Sequence, residues 1–195
     1  MVRSGRKNRI GILGGTFDPV HFGHLSLAQT ARRSLNLSRV IFIPARMPPH
    51  KERIKLTCAE LRYKMIKLAI AGNKHFSVSR IEIEKKGISY SVQTLRLLKK
   101  KYTAAEFYFI VGSDALPELS SWKEIEEIFK LSNFVVAKRP NFRKYKWPRE
   151  AIALDGEFLK ISSSKIRQFI KKGESVESFL PKAVYKFIIK NSLYT

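Results

Sequence analysis

The sequence predicts an α/β fold in which a mostly parallel sheet carries helices on both faces. Two observations lead to this prediction: short apolar runs alternate with segments of helical periodicity, and glycine or proline directly follows several of those runs. Strands that alternate with helices indicate parallel pairing and right-handed crossovers. The length of 195 residues suits one domain, because domains most often contain roughly 100–200 residues.

The first elements form a strand–helix–strand unit. Residues 9–13 are an apolar run that ends at two glycines, which indicates a buried strand entering a tight loop. Apolar positions with helical spacing over residues 24–37 predict a helix, and the apolar run 40–43, closed by a proline, predicts a second strand.

The central part of the chain continues the alternation. Residues 57–71 predict a helix, with Thr57 as its N-cap and Glu60 at the capping-box position. Residues 76–83 are strand-like, and residues 90–98 are helical.

The last part adds strands and two final helices. The apolar runs 107–111 and 134–137 predict buried strands. A further strand is expected to end at Ile161, with one helix after Ser162 and another after Pro181. In an open parallel sheet, ligands bind outside the carboxyl ends of the strands, where the glycine-rich and basic loops of this chain fall.

Composition limits the classes of protein that the chain can represent. We expect residues 9–195 to form the domain, after a basic N-terminal extension at residues 1–8. Cys58 is the single cysteine, so neither an internal disulfide nor a zinc site built from thiolates can form, and we expect a cytoplasmic protein. The net charge of +22 favours anionic partners, but a solvated lysine-rich surface is the simpler interpretation, and charge alone does not select a ligand.

The segment GGTFDPVHFGH, residues 14–24, is the first that carries chemistry. Two glycines after a strand allow backbone N–H groups to approach a phosphate closely. His21 and His24 would project from one face of a helical first turn and stabilise charge on a phosphate, with Gly23 keeping the space between them open. A metal site is the less favoured interpretation, because no further ligand cluster accompanies Asp18.

The segment ISSSKIR, residues 161–167, is the second. Hydroxyls and free N–H groups at a helix N-terminus, with Lys165 and Arg167 nearby, would form an anion site. An ordinary serine N-cap is the alternative. Beside the first segment, this one is interpreted as a second phosphate clamp.

These two segments resemble the HxGH and ISSTxIR motifs of a nucleotidyltransferase superfamily. From residue 9 to residue 194 the chain also resembles the bacterial nicotinate-nucleotide adenylyltransferases. The other segments that carry this resemblance are Pro48–Lys51, Gly87–Ser91, Thr94–Leu95, Gly112–Asp114, Trp122, Arg139–Pro140, Leu180–Pro181, Val184–Tyr185 and Leu193–Tyr194.

The resemblance implies a single Rossmann-like doubly wound domain that transfers the adenylyl group of ATP to nicotinate mononucleotide, releasing pyrophosphate in NAD biosynthesis. Mg²⁺ would accompany ATP, and no stable nucleic-acid or membrane partner is implied. A homo-oligomer is left open. The reaction is an in-line attack without a covalent enzyme intermediate, so catalysis depends on aligning two anions and stabilising transition-state charge.

The resemblance also implies roles for individual residues, and none of them ligates a metal. The resemblance implies that His21 and His24 are catalytic, with His24 the stronger candidate for stabilising the transition state. ATP binding falls on Gly14, Gly15, Thr16, Phe17, Lys51, Ser163, Ser164 and Arg167. Nicotinate mononucleotide binding falls on Ser91, Asp114 and Trp122, with the indole stacked on the pyridine ring. Simpler interpretations are a solvated Lys51, a helix-capping Asp114 and a core Trp122.

The chain differs from the family pattern at three positions. Ser91 and Ser164 stand where threonine is usual, which keeps the hydroxyl and removes a methyl group. Asn141 stands where glycine is usual, next to the Arg139–Pro140 segment.

Three other functions compete with this interpretation. The first is a relative with a different acceptor, such as phosphopantetheine, or a cytidylyltransferase. The second is a nucleic-acid-binding protein, suggested by charge, although the aromatics fall mostly at apolar positions rather than along a basic stripe. The third is a regulatory module that has lost the chemistry. Residue patterns leave the choice between nicotinate and nicotinamide mononucleotide open.

Overall fold

A computed structural model describes residues 8–49, 56–138, 146–156, 158–159 and 161–195. The strands within these ranges are β1 (Asn8–Gly15), β2 (Arg39–Pro44), β3 (Phe76–Val78), β4 (Ala105–Gly112), β5 (Asn133–Ala137) and β6 (Ala151–Leu154). The α-helices are α1 (Phe22–Ser34), α2 (Ala59–Ala69), α3 (Ser91–Lys101), α4 (Ile125–Leu131), α5 (Ser163–Lys171) and α6 (Lys182–Lys190). A 3₁₀ helix, Ser113–Ser121, follows β4.

The strands form one sheet in the order β3-β2-β1-β4-β5-β6, and every pairing is parallel. From β1 the chain builds outward to β2 and β3, then returns to place β4 on the other side of β1. This reversal opens a crevice at the carboxyl ends of β1 and β4, where open α/β sheets bind ligands. The predicted fold class is confirmed.

Both faces of the sheet are covered, because successive residues of each buried strand point to opposite sides. In β4, Phe107 and Phe109 pack with buried residues of α3 and α4. Tyr108 and Ile110 face the other way, into a core shared with α1, α2, α5 and α6. The apolar runs of the sequence are therefore strands buried on both faces.

Two predicted elements differ from the structure near the second helix. Thr57 was expected to cap that helix, but α2 begins at Ala59 with Cys58 as its N-cap. The backbone N–H of Thr57 instead donates to Asp18 Oδ2 at 3.2 Å, so a long-range contact takes the place of the local cap. The strand predicted over 76–83 ends at Val78, because the chain then turns and places the carboxylate of Glu82 in the interior.

The strand expected to end at Ile161 is also wrong. The sixth strand is β6, which ends at Leu154 and pairs with β5 at the edge of the sheet. Four apolar residues are too few for periodicity to separate a strand from a helical turn. Residues 1–7 lie outside the described ranges and β1 begins at Asn8, so the extension at residues 1–8 stays a prediction.

None of the helices in the described ranges is long and apolar enough to cross a membrane.

Candidate active site

The loop after β1 is shaped by tight packing around Phe17. Phe17 has a φ of 51°, an uncommon left-handed conformation for a residue other than glycine, and its ring is 2% exposed. A Cβ placed on Gly15 would lie 3.1 Å from that ring, which explains the glycine there. The Phe17 side chain is therefore structural, and Phe17 can contact a ligand only through its backbone.

The two histidines of the HxGH motif stand together at the start of α1. His21 is the N-cap and His24 is the third residue of the helix. Their rings stack with centroids 3.7 Å apart, and Phe17 contacts the His24 ring edge-on with centroids 4.9 Å apart. His21 is buried and His24 is half-buried, so His24 is the more accessible of the pair.

A hydrogen bond fixes the role of each nitrogen of His24. The backbone N–H of His21 donates to His24 Nδ1 at 3.3 Å. A neutral imidazole that accepts at Nδ1 carries its proton on Nε2. Nε2 of His24 is then a hydrogen-bond donor, the kind of group that a phosphate oxygen accepts from.

Gly23 is required by the packing of the histidine pair. A Cβ at this position would lie 3.0 Å from both Cε1 and Nδ1 of His21. Any larger residue would push the His21 ring away from His24, so the predicted spacing role of Gly23 has a direct steric cause.

The serine-rich segment meets the HxGH loop, as predicted for two clamps on one ligand. Ser163 Oγ donates to the carbonyl oxygen of Pro19 at 2.9 Å, and Arg167 Nη1 donates to that of Asp18 at 2.7 Å. Guanidinium has five N–H donors, so Arg167 retains others for an anion.

The remaining hydroxyls of this segment have different roles. Ser162 Oγ accepts from the backbone N–H of Lys165 at 3.2 Å and is the N-cap of α5, so the simpler cap interpretation holds for this one serine. Ser164 is exposed, with its Oγ 3.4 Å from Arg167 Nη2. Its hydroxyl and the N-terminal N–H groups of α5 are accessible to an anion.

The buried guanidinium of Arg62, whose role the sequence did not predict, binds the loop after β1. Arg62 of α2 is 1% exposed and donates to the carbonyl oxygens of Thr16, Thr57 and Arg46 at 2.7, 2.8 and 3.2 Å. Burial lowers the pKa of Arg62, while the negative charge of Asp18 opposes that shift. In sequence, an arginine in the polar pattern of a surface helix gives no sign of this role.

A second site lies on the other side of β4, in a pocket of about 110 Å³. Its lining residues are Pro49, Ser89, Tyr90, Ser91, Ser121, Trp122, Lys123 and Ile128. The structure thus brings together Ser91 and Trp122, two of the three residues expected to bind the mononucleotide. Trp122 also packs edge-on against Phe109 and Phe134, with ring centroids 6.1 and 6.4 Å away. Trp122 therefore contacts the core as well as lining the pocket.

Two features of the pocket can attract an anion. Ser91 begins α3, whose N-cap Tyr90 supplies no side-chain hydrogen bond, so the first N–H groups of the helix are open to a ligand. Lys123 lies over the Tyr90 ring, with Nζ 4.8 Å from its centroid. No acidic side chain is among the lining residues. This end of the pocket therefore favours a carboxylate or a phosphate.

Next to the pocket residue Ser89 lies the buried carboxyl group of Glu82, which the sequence did not predict. Glu82 is 8% exposed and accepts from Thr94 Oγ1 at 2.6 Å. Burial raises the pKa of Glu82, while hydrogen bonds from Thr94 and Ser89 oppose the shift. Ser89 also accepts from the backbone N–H of Arg46 at 3.0 Å, so this network joins the pocket to the loop after β2.

The two remaining predicted site residues are Asp114 and Lys51. Asp114 is exposed in the first turn of the 3₁₀ helix after β4 and is absent from the lining of the pocket. Lys51 lies outside the described residues. Their predicted roles stay predictions.

Comparison with known proteins gives consistent matches. Residues 12–169 match the family described as Cytidylyltransferase-like. A protein of Clostridium botulinum strain Hall, named "Probable nicotinate-nucleotide adenylyltransferase", is 45% identical over 94% of this chain and 97% of its own length. A protein of the same name from Clostridium perfringens strain SM101 is 44% identical over 95% and 98%.

Among solved structures, Plasmodium falciparum nicotinic acid mononucleotide adenylyltransferase complexed with NaAD superposes with a TM-score of 0.81. It is 22% identical, and the match covers 96% of this chain and 97% of that one. At this identity the likeness establishes the fold.

Proposed function

Because this chain belongs to the Cytidylyltransferase-like family and, within it, to the nicotinate-nucleotide adenylyltransferases, we propose that it joins ATP and nicotinate mononucleotide. The products are nicotinate adenine dinucleotide and pyrophosphate. The observation that carries the proposal is the contact between the two phosphate-binding motifs, in which Arg167 and Ser163 bond to the carbonyls of Asp18 and Pro19.

The reaction needs alignment and charge stabilisation rather than a nucleophile from the protein. A phosphate oxygen of the mononucleotide attacks the α-phosphorus of ATP. The bond from that phosphorus to the bridging oxygen breaks, and pyrophosphate leaves with the electron pair. Both reactants are anions, so donors held in fixed positions must offset their repulsion.

The described residues supply such donors on two sides of β1 and β4. We assign Nε2–H of His24 to the reacting phosphate, because its Nδ1 is already an acceptor. Arg167 and the N-terminus of α5 are assigned to the departing pyrophosphate. The pocket of Ser91 and Trp122 is assigned to the mononucleotide, with its ring against the indole.

Mg²⁺ is proposed to enter with ATP as part of the substrate. In the described ranges, no three His, Cys, Asp or Glu side chains are grouped closely enough to hold a metal ion. Both carboxylate oxygens of Asp18 already accept hydrogen bonds, from Thr57 and Tyr194. Magnesium in such enzymes commonly binds substrate phosphates and waters, with one or two protein carboxylates, which is compatible with this arrangement.

The choice of substrate is the first test. We expect pyrophosphate release from Mg-ATP to be at least about 10-fold faster in kcat/KM with nicotinate mononucleotide than with nicotinamide mononucleotide. The reason is that the uncapped N-terminus of α3 and Lys123 favour an anion over a neutral amide. A coupled pyrophosphate assay with both substrates measures the ratio.

The other outcomes of this assay separate the alternatives. Preference for the amide would keep the reaction and change the substrate. Release with phosphopantetheine, and with neither pyridine nucleotide, would contradict the proposal.

Trp122→Ala is expected to raise KM for nicotinate mononucleotide about 10-fold, because a lost aromatic contact weakens binding by roughly 1 kcal/mol or more. KM for ATP should stay within about 2-fold, since the other motifs are assigned to ATP. Steady-state kinetics with each substrate varied in turn provides both values.

The matched control is Trp147→Ala, at the second tryptophan of the chain, which lines a separate cavity beside Phe129. It should leave both KM values near wild type. Equal KM changes for both substrates in Trp122→Ala would instead indicate general disruption of the fold.

A further inference from the structure

Asp18 lies in the loop that follows β1, residues 15–21, which we call the phosphate loop. Its carboxylate binds two segments that are remote from this loop in sequence. Tyr194 Oη donates to Asp18 Oδ1 at 2.6 Å, and the backbone N–H of Thr57 donates to Oδ2 at 3.2 Å. Asp18 is 2% exposed, so both hydrogen bonds are shielded from water. Burial and the neighbouring Asp18 raise the pKa of Tyr194, which keeps the phenol protonated as the donor.

The backbone at Tyr194 has an uncommon conformation. Tyr194 has a φ of 71°, a left-handed conformation that is unfavourable for a bulky residue and persists only where surrounding contacts hold it. Its ring packs against the core cluster that contains Phe17. Packing and the hydrogen bond together place the hydroxyl on Asp18.

Four further contacts hold the phosphate loop, and each of them uses a carbonyl oxygen of the loop. Arg62 binds the carbonyl of Thr16, Ala45 N–H binds that of Gly15, Arg167 binds that of Asp18 and Ser163 binds that of Pro19. None of these four contacts uses an N–H group of the loop. These four bonds therefore hold the loop through its carbonyl oxygens.

We propose that Tyr194 is a positioning residue for ATP, and that its hydrogen bond to Asp18 sets the phosphate loop and Arg167 in register for the triphosphate. The proposal rests on the adenylyltransferase function. Tyr194 does not touch the substrate. It acts through Asp18, whose own carbonyl holds Arg167 on the pyrophosphate side of the site.

The test is Tyr194→Phe, which removes one oxygen and retains the ring that packs on the core. We expect kcat to fall about 10-fold and the Kd of a non-hydrolysable methylene analogue of ATP to rise about 5-fold, because small misplacements of aligning groups are costly. KM for nicotinate mononucleotide should stay within about 2-fold. Calorimetric titration gives the Kd without turnover, and melting curves show that the variant is folded.

The matched control is Tyr185→Phe, which removes a hydroxyl from the same core cluster without removing a hydrogen bond to Asp18. It should leave kcat and the analogue Kd unchanged. Asp18→Asn weakens the same bond from the acceptor side, since an amide oxygen is a poorer acceptor than a carboxylate. It serves as the second variant if Tyr194→Phe does not fold, with the same shifts expected.

Two results would overturn the inference. One is a folded Tyr194→Phe with wild-type kcat and analogue Kd, and the other is a parallel change in both substrates' KM, which a purely structural role would give. Wild-type enzyme in the same series tests the function separately. If it released no pyrophosphate, the analogue Kd of wild type and variant would still decide the role of Tyr194.

Discussion

His24→Ala is expected to lower kcat at least about 100-fold, the scale of losing one donor that stabilises a transition state. The side chain accepts from His21 N–H at Nδ1, so its donor is Nε2–H, which we assign to the reacting phosphate, and alanine has no such donor. KM for nicotinate mononucleotide should change less than about 3-fold, because its pocket lies on the other side of β4. Initial rates at saturating substrate measure the loss.

The loss must be separated from a weakened helix start. His24 takes part in reciprocal contacts with His21 at the N-terminus of α1, so some stability is lost with it, and the assay is run well below the melting temperature of the variant. His75→Ala, directly before β3 and beside Ser38, is the matched control and should retain kcat within about 2-fold. A His24→Ala enzyme with near-wild-type kcat would remove His24 from the mechanism.

Arg62→Met is expected to reduce the free energy of unfolding by about 3–5 kcal/mol, the usual cost of breaking a buried charge arrangement by removing one member. Methionine is of similar length but donates nothing. The carbonyls of Thr16, Thr57 and Arg46 would lose their donor, and Asp18 would lose a compensating charge. Urea titration followed by circular dichroism gives the free energy.

A surface arginine provides the comparison for Arg62. Arg80 pairs with Glu60 at 2.6 Å and Glu84 at 3.1 Å, but its ion pairs face water, where such pairs contribute little. Arg80→Met should therefore cost only a small part of the loss seen for Arg62→Met. Equal losses in the two variants would contradict the structural role assigned to the buried guanidinium.

The sequence could predict those features that local pattern determines. Apolar runs located β1, β2, β4 and β5, because a strand buried on both faces must be apolar along its whole length. The HxGH segment predicted the histidine pair, because the N-cap residue and the third residue of any helix lie next to each other.

Features that depend on long-range contacts were not predictable in this way. The Tyr194–Asp18 bond joins residues 176 positions apart, and the role of Arg62 depends on three carbonyls from three segments. Thr57 carried a local cap signal, yet Cys58 is the N-cap of α2 and the Thr57 N–H binds Asp18. In each case a tertiary partner, invisible in the local pattern, determined what the residue does.

The position of β1 has a consequence for how the chain folds. Its two neighbours are β2, which follows after a single helix, and β4, which begins only at Ala105. During synthesis, one edge of β1 is therefore unpaired until β4 has been synthesised. At about 5–20 residues per second this takes on the order of 10 s. Such an edge is a template for pairing with another chain, so fragments ending before residue 105 should aggregate rather than fold.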